Sequence, residues 1–150
     1  ATAALIESRP MISHAAGDAV LRDVAYELRK QLRSFELIYR IGGEEFLAGL
    51  PGASAVAARA LGEQLCAATR SCCSKGLSVT LSVGTATLHG QEVQFRRMFE
   101  AADRALYNAK RGGRDRVATA EESPAAAVRS DAPGAPSWAP WSERPRASGR

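Results

Sequence analysis

The sequence has no long apolar run. No stretch approaches the ~20 consecutive apolar residues that a membrane-spanning helix needs. The first residues also lack the charged, apolar and small-residue regions of a signal peptide. These absences predict a soluble, cytoplasmic protein without a membrane span. At 150 residues the chain is long enough for one domain with a sizeable core.

Cysteine is also scarce. The three cysteines, Cys66, Cys72 and Cys73, are odd in number and form no Cys-x-x-Cys pair. A disulfide framework needs paired cysteines, and a structural zinc site usually needs that spacing. We therefore expect reduced thiols, with neither disulfides nor a zinc site.

The charge is not strongly of one sign either. The formal net charge is +4, and the basic residues are interspersed with acidic ones rather than gathered into a stripe. This distribution argues against duplex nucleic acid as the main partner. Negatively charged nucleotides remain natural ligands for such a chain.

The hydrophobic pattern predicts strands that are separated by helices. Apolar residues at helical spacing predict three helices, over residues 18–32, 53–68 and 95–110. Short apolar segments rich in β-branched and aromatic residues, or alternating with hydroxyl residues, predict three strands, over residues 37–41, 46–50 and 79–86. Together they indicate an α/β (α+β) sandwich, with a central sheet flanked by helices.

The larger apolar residues of the second and third helices are expected to face the core. In the second helix these are Val56, Leu61 and Leu65. In the third helix they are Phe95, Met98, Phe99, Ala102, Ala105, Leu106 and Ala109. The pair Gly112-Gly113 predicts the end of the third helix.

The composition changes towards the C-terminus. From Ala118 onward, proline is mixed with Ala, Ser, Gly and Arg without apolar periodicity. We therefore predict a domain over residues 1–118 and a disordered tail over residues 119–150. Trp138 and Trp141 lie in this tail, where a functionless extension is favoured over a partner-binding motif.

A glycine- and glutamate-rich turn is the most informative segment. Gly42 and Gly43, followed by Glu44 and Glu45, lie between two predicted strands, so the segment reads as a β-hairpin turn. Glycines without a Cβ let backbone N–H groups approach a triphosphate closely, and adjacent carboxylates hold hard divalent cations such as Mg²⁺. Taken alone, the segment is equally compatible with an ordinary solvated hairpin turn.

Three further segments surround this turn in a fixed order. A helix opens at His14 to Asp18, a strand covers Leu77 to Ala86, and the last helix closes over Ala102 to Arg114. With the turn, they resemble the GGDEF family of diguanylate cyclases over about residues 12 to 118. The resemblance implies a nucleotidyl-cyclase-like sheet whose β-hairpin carries the signature turn. It also implies an enzyme that condenses two GTP into cyclic di-GMP across a homodimer, with Mg²⁺ or Mn²⁺ as cofactor.

The resemblance assigns roles to the residues of the turn and of the last helix. Glu44 is implied as a metal ligand and as the carboxylate near the attacking hydroxyl, and Glu45 as an aid to metal or nucleotide binding. Gly42 and Gly43 would pack against the phosphates. The implied phosphate-contacting cations are Lys110 and Arg114. Without the resemblance, these two would be read as charges at a helix C-terminus that complement its dipole.

Two further positions match the family. Asp18 corresponds to its guanine-binding aspartate, although Asp is also a good helix N-cap. Arg33 and Glu36 fall where many members carry Arg-x-x-Asp, an inhibitory site for the product. Glu is one methylene longer than Asp, and a solvated helix end is an equally good interpretation of this pair.

The first ten residues depart from the family pattern. Counting back from Asp18 places the family's metal, core and guanine motif on Ala1, Ala3, Leu5, Ile6, Arg9 and Pro10, and none of these matches. Either the first strand has been lost upstream, or Thr2 to Ile6 is a shortened replacement. In the second case Glu7 could serve as the metal ligand, with a shorter loop to His14.

Two classes of function follow. The first is an active diguanylate cyclase. The second is a degenerate GGDEF module that binds GTP or cyclic di-GMP, or that acts as a regulatory or dimerisation domain. The intact signature turn favours the cyclase, and the altered first strand predicts weak activity or none.

Overall fold

The computed structural model describes residues 1–10, 14–71, 78–88 and 94–120. Within these ranges the chain forms five strands and three helices. In chain order they are β1 (Thr2–Pro10), α1 (His14–Gln31), β2 (Leu37–Arg40), β3 (Glu45–Gly49), α2 (Ala55–Ser71), β4 (Val79–Thr87), α3 (Phe95–Arg111) and β5 (Val117–Thr119).

The strands form one sheet in the order β2-β3-β1-β4-β5. β1 is the central strand and pairs antiparallel with β3 on one side and with β4 on the other. β2 and β3 form an antiparallel hairpin, whereas β4 and β5 are parallel and are connected through α3. The middle of the sheet is therefore built around the first ten residues.

One face of the sheet carries the larger core, beneath α1 and α2. Alternate residues of each strand point to this face, because successive strand side chains point in opposite directions. The buried residues of this core are Ala4, Ile6, Val20, Leu21, Val24, Leu28, Leu32, Phe46, Ala48, Leu50, Ala58, Leu65, Cys66, Val79, Leu81 and Val83. Helical spacing of the α1 members explains why that helix lies with one side on the sheet.

The opposite face is covered by α3. Leu5 and Ala86 of the sheet pack there against Ala102 and Leu106 of the helix. The contact is close at Gly84, where an added Cβ would lie 2.2 Å from the Leu106 nitrogen and 2.3 Å from the Ala102 oxygen. A side chain at position 84 would therefore collide with the backbone of α3.

The predicted fold class is confirmed, and the six predicted elements are all present. α1 begins at His14, which agrees with a helix that opens over His14 to Asp18 and lies four residues before the start of the apolar pattern at Asp18. Of the two interpretations of the N-terminus, the structure contains the strand, and it extends beyond Ile6 to Pro10. β5 was not predicted, because three residues are too few for a periodic pattern.

Two predicted core residues are exposed. Val56 is 80% exposed. It lies two residues, or about 200° of helical rotation, from Ala58 on the buried stripe of α2. Phe95 is on the buried stripe of α3 but is the first residue of that helix. Its ring contacts Phe99 at a centroid distance of 6.0 Å and stays 56% exposed.

The last described strand ends at Thr119, one residue past the predicted domain boundary at residue 118. The backbone nitrogen of Ala120 donates to the Thr85 oxygen, which continues the pairing with β4. The remainder of the predicted disordered tail, with Trp138 and Trp141, lies outside the described residues. Over the described ranges, no helix is long and apolar enough to cross a bilayer.

Cys66 is a free, buried thiol whose sulfur lies 3.5 Å from the Leu81 carbonyl oxygen, to which it donates. Burial, reinforced by the nearby Asp115 carboxylate, raises the pKa of this thiol to about 11. Cys72 and Cys73 lie outside the described residues. Cys66 is therefore a core residue rather than a reactive one.

Gly84→Ala should destabilise the fold by ~2–4 kcal/mol, because its Cβ would overlap the α3 backbone. Gly49→Ala is the matched control: its Cβ would lie 3.9 Å from the Leu37 Cβ, an ordinary contact. Urea unfolding of both variants measures the difference. Equal midpoints for Gly84→Ala and the wild type would contradict this packing.

The thiol of Cys66 should resist alkylation in the folded protein. With a pKa of about 11, roughly one thiol in a thousand is the reactive thiolate at pH 8. A Cys72→Ser/Cys73→Ser variant isolates Cys66 for a labelling time course. We expect slow labelling in buffer and rapid labelling after unfolding in urea; rapid labelling in both would show that the site is accessible.

Candidate active site at the end of the sheet

The glycine- and glutamate-rich turn connects β2 to β3, and Arg40 stabilises it through hydrogen bonds to its carbonyl oxygens. The Arg40 guanidinium donates to the Gly42 oxygen at 3.2 Å and to the Gly43 oxygen at 2.8 and 3.1 Å. The Ile41 nitrogen donates to the Glu45 oxygen at 2.9 Å and closes the turn. Within the described residues, the N–H groups of Gly43 and Glu44 have no acceptor. The turn therefore offers unused donors of the kind that bind phosphate oxygens.

The two glycines have different surroundings. An added Cβ at Gly42 would lie 2.9 Å from a carboxylate oxygen of Glu45, so the missing side chain makes room for that carboxylate. An added Cβ at Gly43 would meet nothing within 4 Å. Gly42 thus leaves room for the Glu45 carboxylate, whereas the space over Gly43 is open to a ligand.

Ser8 connects the turn to the central strand. Its backbone nitrogen donates to the Glu44 oxygen at 2.8 Å, and its buried hydroxyl lies 3.2 Å from the same oxygen. One position earlier on β1, Glu7 is the direct cross-strand partner of Glu45. The sheet therefore brings Glu7 to the turn, as the interpretation with a replacement strand requires.

Glu7 forms an ion pair with Lys110 in the last turn of α3. Both side chains are largely buried, with 22% and 28% of their surface exposed. Two carboxylates directly opposite each other on adjacent strands repel one another. The Lys110 ammonium offsets that repulsion and also complements the C-terminal end of the α3 dipole. This end of the sheet thus favours a cation between Glu7 and Glu45.

The donor set is compatible with a hard divalent cation, although it is not a complete cage. Carboxylate oxygens are the ligands that Mg²⁺ prefers, and an ammonium already occupies a cation position beside Glu7. Among the described residues, no three His, Cys, Asp or Glu side chains are grouped closely enough to hold an ion. Mg²⁺ commonly binds one or two carboxylates and completes its shell with phosphates and water.

Asp18 lies in α1 and contacts Arg40, the residue that binds the turn. Its carboxylate is 87% exposed, with one oxygen 3.7 Å from an Arg40 guanidinium nitrogen. Because α1 begins at His14, Asp18 is inside the helix, and the alternative role as N-cap is wrong. A cavity of about 180 Å³ lies between α1 and the hairpin. It is lined by Leu21, Arg22, Ala25, Ile38, Arg40 and Phe46.

Arg114 lies beyond the end of α3, in the turn that follows Gly112 and Gly113 as predicted. Its backbone nitrogen donates to the Ala109 oxygen at 3.0 Å, so Arg114 also lies close to the C-terminal end of the α3 dipole. Its side chain is exposed and forms no ion pair with any residue in the described part of the chain. Arg114 is thus an available cation, whereas Lys110 is already paired with Glu7.

Arg33 and Glu36 are close together at the end of α1. Glu36 is buried, and its carboxylate accepts a 2.7 Å hydrogen bond from the Arg33 backbone nitrogen. A solvated helix end is therefore the wrong description of Glu36, although the Arg33 side chain is exposed. A cavity of about 290 Å³ adjoins both residues. The inhibitory site stays a prediction.

Sequence reasoning did not identify Ser8 and Arg40 as parts of the site. Arg40 directly precedes the turn, which is a position from which a long side chain can fold back onto the turn carbonyls. Ser8 gave no usable signal, because its contact with Glu44 depends on the register of β1 against β3. Ala3 and Arg9 lie in β1, and Ala1 directly precedes it. At these three positions the family resemblance implies metal-binding and guanine-binding side chains, and neither Ala nor Arg is of the expected type.

Proteins with similar sequences are named as diguanylate cyclases. Diguanylate cyclase DgcP of Pseudomonas aeruginosa is 48% identical over 111 residues, which cover 71% of this chain and 16% of that protein. Diguanylate cyclase A of Treponema denticola is 36% identical over 108 residues, or 69% of this chain and 29% of that protein. The chain thus spans less than a third of the length of these relatives.

Solved structures agree on the fold. The active GGEEF domain of a diguanylate cyclase from Vibrio cholerae has a TM-score of 0.70 at 25% identity, covering 81% of this chain and 85% of that one. The GGDEF domain of DgcB from Caulobacter crescentus, in complex with c-di-GMP, has a TM-score of 0.68 at 28% identity, covering 79% and 78%.

The family match begins after β1. The description "Diguanylate cyclase, GGDEF domain" matches residues 12–116, which include α1, the turn and α3 but not the first ten residues. This agrees with the missing motif at Ala1, Ala3 and Arg9. With the signature turn, the sheet and the helices all in place, the chain belongs to the GGDEF family.

Proposed function

We propose that this chain is a diguanylate cyclase domain that condenses two GTP into cyclic di-GMP. The main support is the meeting of three features at one end of the sheet. These are the free N–H groups of the turn, the opposed carboxylates Glu7 and Glu45, and the Lys110 ammonium. Phosphoryl transfer needs donors, carboxylates and cations aimed at one triphosphate.

The guanine would lie between α1 and the hairpin. The cavity there has apolar walls from Leu21, Ile38 and Phe46, which suit the faces of a flat base. Asp18, whose carboxylate lies 3.7 Å from the lining residue Arg40, would accept hydrogen bonds from guanine N1–H and the exocyclic amine. An adenine presents no such pair of donors on that edge, so Asp18 would select guanine.

The triphosphate would lie across the turn. The N–H groups of Gly43 and Glu44 would donate to phosphate oxygens, and open space over Gly43 allows that approach. Lys110 and Arg114 would neutralise charge on the same phosphates. Such charged groups stabilise the transition state most when they are already in position before the reaction.

Glu44, by its place in the signature turn, and Glu7, which lies opposite Glu45, would hold the divalent cation, Mg²⁺ or Mn²⁺. When bound, that ion would neutralise phosphate charge and polarise the phosphorus centre. Lys110 now pairs with Glu7. Because Lys110 lies beside Glu7, its ammonium and the ion held by Glu7 would act on the same phosphates.

The reaction joins two bound nucleotides that face each other across a homodimer. The 3′-oxygen of one GTP forms a bond to the α-phosphorus of the other, and the bond to the β-phosphate oxygen breaks to release pyrophosphate. Glu44 would take the 3′-hydroxyl proton. The same step in the opposite direction closes the ring. We place the reaction in the cytoplasm, where GTP is available.

Glu44→Gln should lower cyclic di-GMP formation by at least ~100-fold, because the amide can neither take the proton nor bind the ion as a carboxylate does. Chromatography of reactions with GTP and Mg²⁺, over a series of protein concentrations, measures it. Because two domains are needed, the rate per molecule should rise with concentration. Glu63→Gln is the control: Glu63 is on α2 and pairs with Arg59.

Three outcomes of that assay separate the functions. Product from the wild type but not from Glu44→Gln supports the cyclase. GTP binding by calorimetry without product would indicate the degenerate nucleotide-binding module. Absence of both binding and product, at concentrations that populate a dimer, would overturn the proposal.

Glu7→Gln should raise the Mg²⁺ concentration for half-maximal GTP binding by at least about tenfold, since it removes a charged ligand. Calorimetric GTP titrations across a range of Mg²⁺ concentrations measure this midpoint, with Glu63→Gln again as control. A uniformly weaker affinity with an unchanged Mg²⁺ midpoint would instead make Glu7 only the counterion of Lys110.

A further inference from the structure

The turn after α3 has an unusual backbone. Gly113 has a φ of +112°, and the next two residues, Arg114 and Asp115, have φ values of +61° and +46°. Within the described residues, Arg114 and Asp115 are the two non-glycine positions with positive φ. Left-handed conformations are unfavourable for residues with a Cβ, and Arg tolerates them less well than Asn or Asp. Two such residues in succession need support from their surroundings.

Support comes first from α2. The Arg70 Nε donates to both carboxylate oxygens of Asp115, at 3.0 and 2.7 Å. This pairing raises the pKa of the Arg70 guanidinium, which keeps it charged. The two residues are far apart in the sequence, so the ion pair ties the turn to a different element. By contrast, Arg59 and Glu63 pair within one helix.

Support also comes from within the turn. The Arg116 Nε donates to the Arg114 oxygen at 3.0 Å, and the Arg114 nitrogen donates to the Ala109 oxygen at 3.0 Å. The Arg116 guanidinium lies against the glycines, where an added Cβ at Gly112 or Gly113 would be 3.2 or 3.0 Å from it. Both the nitrogen and the oxygen of the Arg114 backbone are therefore hydrogen-bonded, while its side chain is exposed.

We propose that Arg70 and Asp115 are positioning residues for phosphate recognition, and that their ion pair holds Arg114 in the left-handed conformation from which its guanidinium reaches the triphosphate. The inference rests on the proposed function, since it takes Arg114 as a phosphate contact. Arg114 has no side-chain partner in the described part of the chain, so its backbone conformation is what sets the direction in which the side chain leaves the turn. Loss of the ion pair would let that backbone relax.

The experiment measures GTP affinity with Mg²⁺ by calorimetry, together with thermal unfolding, for Arg70→Ala and Asp115→Asn. Asn tolerates left-handed backbone, so Asp115→Asn removes the charge and not the conformational preference. We expect each variant to weaken GTP binding by about three- to tenfold with little change in the unfolding temperature. Arg59→Ala, which removes the pair within α2, should change neither.

A double-mutant cycle with Arg114→Ala separates positioning from general stability. If Arg70 acts through Arg114, the double variant Arg70→Ala/Arg114→Ala should bind GTP as weakly as Arg114→Ala alone. A merely structural role would lower the unfolding temperature, and the two losses of affinity would multiply. That result would overturn the inference, as would wild-type affinity in both Arg70→Ala and Asp115→Asn.

Failure of the proposed function has a different signature. A wild type that does not bind GTP would overturn that function and this inference together. A wild type that binds GTP, but with an affinity that Arg114→Ala leaves unchanged, would remove Arg114 from the phosphate contacts. The inference would then fail while nucleotide binding by the domain remained.

Discussion

The pairing of β1 with both of its neighbours is the interaction on which the rest of the structure depends. Residues Ala3 to Glu7 pair with β3 on one side, and the whole of Thr2–Pro10 pairs with β4 on the other. Without β1, the hairpin of β2 and β3 would have no connection through the sheet to β4 and β5. Alternation along β1 also supplies Ile6 to one core and Leu5 to the other.

The same strand register positions the residues of the candidate site. Because Ser8 binds the Glu44 carbonyl, the end of β1 and the signature turn are held together, and Glu7 lies across from Glu45. Packing of α3 over Gly84 orients that helix, whose last turn carries Lys110 to Glu7. The opposed carboxylates and the nearby cation are thus consequences of backbone pairing rather than of local sequence.

The short connection between β1 and α1 explains why the family motif is not found where it is expected. Counting back from Asp18 assumes the family's spacing between the first strand and the first helix, and it places the metal ligand at Ala1. In this chain β1 extends to Pro10 and α1 begins at His14, so the connection is short. The strand end that faces the turn is consequently at Glu7. A carboxylate is therefore present beside the turn, whereas Arg9 stands where the resemblance places an asparagine.

The resemblance to the GGDEF family supplied Glu44, Lys110 and Arg114 as candidates. Periodicity and turn chemistry predicted the local features: the three helices, the Gly42-Gly43 hairpin turn and the end of α3 at Gly112. These features depend on neighbours a few residues away, which a linear pattern records. Tertiary packing brings Glu7 to Lys110, Arg40 to the turn and Arg70 to Asp115. It also exposes Val56 and buries Glu36. Such outcomes depend on strand register and helix placement, which bring together residues that no local spacing relates.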